Sequence, residues 1–377
     1  MVQIKITPEH DYKKLDEWFS GKEKVLLVCD SSIEFLGQFN DKLAKIAIPM
    51  VRFSDFKPNP LYESVVKGVE VFRKQSCDSI IAVGGGSAMD VAKCIRIFAN
   101  LPGNGEDGAW LTVANAVSAI PFLAMPTTAG TGSEATRYAV VYYDGKKQSV
   151  TSESCIPEAV LMDSNALKTL PLYQKKATMC DALCHAIESF WSVNSNDESK
   201  KYSEEAIRRI LDNMDGYLAN TDEGNAGMLE AAHIAGKAIN ITQTTAGHAM
   251  CYMLTSMYGI AHGHAAALCV NKLWPYMIDH IQDCTDKRGE KHLETVFVEL
   301  ATAFKCDTPM EAADRFGDIL KKLELNNISV DKGKNYDIDV DKAVEKLLSN
   351  VNPDRMINHP VKLSHEAMEV MYRGILG

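Results

Sequence analysis

The chain lacks any stretch approaching ~18 uninterrupted apolar residues, so it offers no candidate membrane span. Its N-terminal run Met1-Val2-Gln3-Ile4-Lys5 has no long apolar segment, and no secretory leader is expected. Basic residues are in the minority, 40 Lys and Arg against 50 Asp and Glu, for a net charge of −10. That balance argues against nucleic acid as a partner, because phosphate backbones need a basic surface. It also means that an anionic small molecule must be met by a local cationic pocket. The ten cysteines contain no C-x-x-C pair and no regular framework. Several sit in apolar runs, as Cys29 does in Val25-Leu26-Leu27-Val28-Cys29, and read as buried thiols of a reducing, cytoplasmic protein. Internal repeats and low-complexity tracts are absent as well, and the glycine run at 84–86 is not the G-x-G-x-x-G nucleotide fingerprint.

What is present is an ordinary globular composition, 46% hydrophobic and 24% charged, over 377 residues. That length suits two domains of roughly 100–200 residues each. The first half alternates short apolar runs with helical spacing. Runs at 24–30, 79–83, 121–125 and 159–162 read as strands, and 47–53 as an edge strand or a late starter, given Pro49. Segments 61–74 and 87–99 have helical periodicity, and residues 138–143 and 149–151 flank Asp144-Gly145-Lys146-Lys147 as a possible hairpin. From Leu172 onward helical patterns take over, while the polar stretch 326–339 reads as loop. The expectation is an α/β N-terminal dinucleotide-binding domain with a mainly parallel sheet, residues 1–165, followed by an all-α metal- and substrate-binding domain, residues 166–377.

Two loops carry a nucleotide signal. In Gly84-Gly85-Gly86-Ser87 a strand ends in glycines and feeds a helix, which turns backbone N–H groups and the helix dipole toward an anion. The loop Pro126-Thr127-Thr128-Ala129-Gly130-Thr131-Gly132-Ser133 also follows a strand and offers hydroxyls and bare amides. Each alone could be a simple tight turn or a helix cap. Two such loops at two strand ends favour one shared ligand, since open α/β sheets bind there. Asp30, at the end of the chain's first strand (24–30), has the chemistry to bind a ribose hydroxyl, although a capping role is equally open.

The metal signal begins with Asp181 and His185, four residues apart and so on one face of a helix. His248 and His262 stand in unusual runs, but spacing alone does not make them ligands. One carboxylate and three imidazoles would together chelate a borderline divalent ion.

The runs GGGSAMDVAK, MPTTAGTGSEAT, DALCHAIES, TTAGHAMCY and GIAHGHAAAL, with Asn59-Pro60 ahead of them, resemble the iron-dependent (group III) alcohol dehydrogenase family in order and separation. The likeness extends over nearly the whole chain. It implies Asp181, His185, His248 and His262 as metal ligands. Gly85, Gly86, Ser87 and Asp90 match the pyrophosphate loop, Thr127, Thr128 and Thr131 the second cofactor loop, and Lys147 a lysine that reaches the cofactor ribose. Asp30 and Asn59 match positions near the adenosine half. The implied cofactors are Fe(II), with Zn(II) or another divalent ion possible, and NAD(H) or NADP(H). The implied assembly is a homodimer. Where many members carry a second histidine four residues after the third ligand, this chain has Tyr252, a weaker proton shuttle near neutral pH. Tyr252, His264 and the ligand His262 are therefore the catalytic candidates.

Within the family, residues 188–207, 235–249 and 258–268 resemble the phosphonoacetaldehyde reductases most. The expected reaction is hydride transfer between a nicotinamide and a small, anionic aldehyde, phosphonoacetaldehyde to 2-hydroxyethylphosphonate. Arg137, Lys237 and Asn194 are the candidates for its headgroup. If one helix ran from Lys237 to His248, their separation of eleven residues would be three turns. The alternatives are a dehydrogenase of short-chain alcohols, diols or 4-hydroxybutyrate, and a metal- and NAD-dependent lyase of the dehydroquinate-synthase type.

Overall fold

Apolar runs that end at a glycine or a polar residue become parallel strands here, because burial on both faces suits Val, Ile and Leu without alternation. The computed structural model describes residues 3–113, 116–328 and 339–377; of the stretch expected to be loop, residues 329–338 lie outside the described residues. Two compact units result, Met1–Leu170 and Pro171–Gly377.

In the first unit, β1 (Ile4–Ile6), β2 (Val25–Cys29), β3 (Met50–Phe53), β4 (Ser79–Gly84), β5 (Phe122–Pro126) and β8 (Ala159–Leu161) form a six-stranded sheet in the order β1-β8-β5-β4-β2-β3. Every pairing in it is parallel. Strand β3 begins one residue after Pro49 and lies at the sheet edge, where the missing N–H costs nothing. Two apolar layers cover the sheet. Leu26, Val28, Ile80, Ala82, Phe122 and Ala124 point to one, with α3 (Tyr62–Lys74) and α4 (Gly86–Phe98). Val25, Leu27, Cys29, Ile81, Val83 and Leu123 point to the other, with α1 (Glu9–Phe19) and α2 (Gly37–Lys45).

A separate antiparallel hairpin joins β6 (Tyr138–Tyr143) to β7 (Lys146–Thr151). Its turn is two residues, Asp144 and Gly145, both left-handed at φ 50° and 68°, rather than the four residues read from sequence. Lys147 is thereby a strand residue, paired with Tyr142.

The second unit is helical in its described residues: α5 (Leu172–Trp191), α6 (Asp197–Leu218), α7 (Asp222–Thr242), α8 (Ala246–Tyr258), α9 (His262–Asp279), α10 (Glu290–Ala303), α11 (Pro309–Lys322), α12 (Val340–Leu348), α13 (Pro353–Met356) and α14 (His365–Leu376). Helix α5 is its axis and is almost wholly buried from Met179 to Trp191. The assumption of one helix from Lys237 to His248 does not hold. Helix α7 ends at Thr242, Gln243 turns left-handed at φ 61°, and α8 starts anew at Ala246. Gly247 next to His248 and Thr244-Thr245 before it favour that break over a continuous helix. Among the described residues, no helix is long and apolar enough to cross a membrane.

Candidate metal centre and nucleotide-binding loops

The chain runs from β2 outward to β3 and returns on the other side of β2 as β4, so the strand order reverses between β2 and β4. A crevice opens at the carboxyl ends of the strands at such a switch. Asp30 follows β2 there, and its carboxylate accepts the Ser32 N–H at 2.8 Å, capping the turn Ser31–Phe35. Gly84 ends β4 at φ 152°, and a Cβ on it would lie 2.6 Å from Asp30 Oδ2, so only glycine fits. The threonine loop after β5 lies against the glycine loop: Thr127 N–H donates to the Gly84 carbonyl at 3.0 Å. A Cβ on Gly85 or Gly86 would stand 3.4 Å from Thr128 Cγ2 or 3.1 Å from Thr131 Cγ2. Among the described residues no side chain caps the N-terminus of α4 at Gly85, so its first amides suit an anion. Ser87 lies in that first turn, half-buried.

Deeper in α4, fully buried Lys93 donates to Ser133 Oγ at 2.9 Å, the Thr136 carbonyl at 2.9 Å and the Tyr138 carbonyl at 2.7 Å. It ties the end of the threonine loop to the helix that starts at the glycine loop. Burial pushes the Asp90 carboxyl up to about 6, against the opposing charges of Lys93 and Lys147. Asp90 accepts from Ser133 Oγ at 3.3 Å, so Asp90, Ser133 and Lys93 form one polar cluster beneath the loops. Asn59 is exposed and left-handed at φ 60°.

The second unit gathers the metal candidates. Asp181 and His185 share a face of α5, with His185 Nε2 3.9 Å from Asp181 Oδ1. His248 is in the first turn of α8, and His262 opens α9. Ligand atoms of Asp181, His248 and His262 all lie within 4.8 Å of one another. His248 Nε2 is 3.4 Å from Asp181 Oδ1, and its ring stacks on that of His185 at 4.6 Å between centroids. The His262 ring meets His248 edge-on at 5.3 Å.

Glycines allow this convergence. A Cβ on Gly263 would lie 2.1 Å from the Ala177 carbonyl oxygen and 2.6 Å from Asp181 Cβ, so α9 begins hard against α5. A Cβ on Gly247 would come within 3.0 Å of the Glu188 carboxyl.

The donor set fits a divalent ion. It is nearly dry, with Asp181 3% and His248 2% exposed, and it holds two buried carboxylates facing imidazoles. Burial alone would raise the Asp181 carboxyl, but His185, His248 and His262 outweigh it and hold the group well below the carboxylate range. Burial would likewise discharge His248, yet Glu188 and Asp181 prevail and push it up to about 9. A pocket that holds a proton this firmly between two carboxylates is suited to a cation.

The catalytic candidates separate. Tyr252 stacks on His262, with centroids 5.6 Å apart and planes 10° from parallel. His264 is buried, and its Nδ1 meets the Tyr173 hydroxyl at 3.2 Å. That hydroxyl also accepts from Ala261 N–H at 2.9 Å. Burial pushes His264 down to about 4, which leaves it neutral. The headgroup candidates fall in both units. Arg137 belongs to the first unit, where it binds Glu153 at 3.2 Å and the Tyr138 hydroxyl at 3.1 Å. Asn194 donates to Asn358 Oδ1 at 2.9 Å and the Thr242 carbonyl at 3.3 Å. Lys237 Nζ lies 5.9 Å over the Tyr202 ring.

Two neighbours of the ligands escaped the sequence reading. Glu188, wholly buried, bonds to His248 Nδ1, and Cys251 Sγ is 3.6 Å from His262 Nδ1. A signal for Glu188 did exist: Asp181, His185 and Glu188 follow i, i+4, i+7 spacing on one helical face.

An α/β unit with glycine and threonine loops at its strand ends, followed by a helical unit in which Asp181, His248 and His262 converge with His185 beside them, points to a class of metal-dependent enzyme. Residues 6–164 match the model of iron-containing alcohol dehydrogenase, and residues 175–374 that of the C-terminal part of the Fe-containing alcohol dehydrogenase family. The chain belongs to the iron-containing alcohol dehydrogenase family and is an oxidoreductase. It is 28% identical to alcohol dehydrogenase 4 of Schizosaccharomyces pombe, over 91% of this chain and 82% of the relative. It is 32% identical to the phosphonoacetaldehyde reductase of Streptomyces viridochromogenes, over 67% of each. Among solved structures, a 1,3-propanediol oxidoreductase is similar at TM-score 0.82 and 25% identity, covering 99% of this chain and 98% of that one. The sulfoacetaldehyde reductase of Bifidobacterium kashiwanohense in complex with NAD+ shares the fold at TM-score 0.83 and 24% identity, covering 99% and 96%. Membership in this family decides against the lyase reading.

Proposed function

We propose that this chain is an Fe(II)-dependent aldehyde reductase that uses NADH or NADPH, with a small anionic aldehyde, phosphonoacetaldehyde, as its substrate. The observation that carries the reading is the convergence of Asp181, His248 and His262 ligand atoms within 4.8 Å, with His185 stacked on His248. A divalent ion held there would supply Lewis acidity toward a carbonyl or alcohol oxygen. The protein's own residues do the rest. The glycine and threonine loops and the α4 amides bind the dinucleotide phosphates, and Asp30, Asn59 and Lys147 contact its sugars. The reaction needs the nicotinamide and the carbonyl carbon at near-attack distance, ~3–3.5 Å. A bound reduced nicotinamide would supply the hydride, and Tyr252, beside His262, would relay a proton from solvent to the aldehyde oxygen.

The substrate reading rests on the likeness to phosphonoacetaldehyde reductase and on the three sequence runs that share it. A second reading, reduction of neutral short-chain aldehydes, is favoured by one observation: Arg137 and Asn194 already hold protein partners. Anaerobic assay of the Fe(II)-loaded protein with each reduced cofactor separates the two. Turnover of phosphonoacetaldehyde well above that of propanal, lost in Asp181→Asn, is expected, and Tyr252→Phe should cost about 10²-fold in kcat. Equal turnover of both aldehydes would reject the anionic substrate, and no turnover of any aldehyde would reject the reductase. Lys237→Met tests the third headgroup candidate: equal effects on charged and neutral aldehydes would remove it.

A further inference from the structure

His248 is held on both sides by carboxylates. Its Nε2 faces Asp181, and its Nδ1 bonds to Glu188 Oε2. The other oxygen of Glu188 is equally engaged. It accepts the Thr245 N–H at 2.9 Å, the Thr245 hydroxyl at 2.8 Å and the His248 N–H at 3.3 Å. Thr245 is the N-cap of α8, and its own side chain caps nothing. A carboxylate from α5 thus takes over the cap of α8 and in the same stroke orients the ligand two residues into that helix. Glu188 has no exposure, and Gly247 leaves room for it that a Cβ would close.

We infer that Glu188 is a positioning residue of the metal centre, one that locks His248 in the Nδ1–H tautomer and balances the charge of a divalent ion. The inference rests on the metal-binding reading above. A carboxylate only accepts, so the Nδ1 facing it must carry the proton, which leaves the Nε2 lone pair free for the ion. The charge sum points the same way. Three neutral imidazoles and Asp181 would leave a divalent cation with one uncompensated positive charge in a dry pocket, and Glu188 removes it. The Nδ1 of the ligand His262 lies 3.6 Å from the Cys251 thiol.

The test compares metal-free wild type with Glu188→Gln. Glutamine keeps an oxygen for the α8 cap but turns an amide N–H toward Nδ1, which favours the opposite tautomer. Both proteins are titrated with Co(II), followed by visible absorption and by chelator competition, with far-UV circular dichroism as the check that the helical unit survives. Co(II) affinity should fall about 10- to 100-fold in Glu188→Gln while the circular dichroism stays unchanged. A purely structural cap would lower the melting temperature and leave Co(II) affinity as in wild type, and that result overturns the proposal. In the Zn(II)-loaded wild type, which needs no variant to fold, ¹⁵N-histidine NMR should show His248 bound through Nε2 with a protonated Nδ1. Binding through Nδ1 overturns it too. If wild type takes up no Co(II), the metal reading itself fails, and the role of Glu188 with it.

Discussion

His248 carries the most distinctive protonation in the molecule. Burial opposes its charge, but Glu188 and Asp181 raise it from 6.5 to about 9. Its folded pKa lies above its unfolded one, so the stability it adds to the metal-free protein is complete below pH 6.5 and is lost as pH rises through about 9. Glu188 runs the other way. Burial alone would raise it, yet His248 holds it down to about 2, so its contribution is present above pH 4.5 and is lost as pH falls toward 2. The chelated protein should therefore lose melting temperature between pH 6.5 and 9, as calorimetry would record. An ion must displace the His248 proton, so divalent-metal affinity should climb over that same interval. A melting temperature that rises there would show that His248 is neutral in the empty pocket. None of this protonation was legible from the sequence, where the family resemblance marks His248 as a metal ligand but says nothing of Glu188 beside it.

At the scale of elements, the glycines beside the ligands decide how close three helices can come. Gly263 lies against the backbone of α5, where a Cβ would meet the Ala177 carbonyl oxygen at 2.1 Å. Gly263→Ala should destabilise by about 1–3 kcal/mol through overpacking. It should also weaken Co(II) binding, because relief of the clash moves His262 away from Asp181. Calorimetry and metal titration read the two effects separately, and unchanged affinity would mean that His262 contributes little to the site. Lys93 does the comparable work in the first unit, where it joins α4 to the threonine loop through buried acceptors. The apolar runs that became β2, β4 and β5 were readable because strands buried on both faces need no partner information to be apolar. Strand β1 was not readable: its three residues, Ile4–Ile6, take their shape from pairing with β8, more than 150 residues away. The break between α7 and α8 was hidden for a similar reason, since periodicity carries through Gln243 while the backbone does not.

Over the whole molecule, two compact units divide the labour. Metal binding should act on the second unit alone, because its ligands come from α5, α8 and α9. Hydrogen exchange with and without a chelator checks this. Removal of the ion should speed exchange across 178–189, 246–252 and 262–268 and leave β4 and β5 unchanged. Equal loosening of the sheet would mean that the two units unfold together.

By itself the sequence determined the alternation of strand and helix, the loops at the ends of β4 and β5, and the pairing of Asp181 with His185. Each of these is local, set by spacing within a turn or a strand. Only the tertiary structure decided that His248 and His262 meet that pair, that Glu188 stands behind His248, and that Arg137 and Asn194 bond to Glu153 and Asn358. Those facts depend on which helices touch, and contact between α5, α8 and α9 is set by packing across tens of residues, at glycines whose role appears only once a neighbouring backbone is against them.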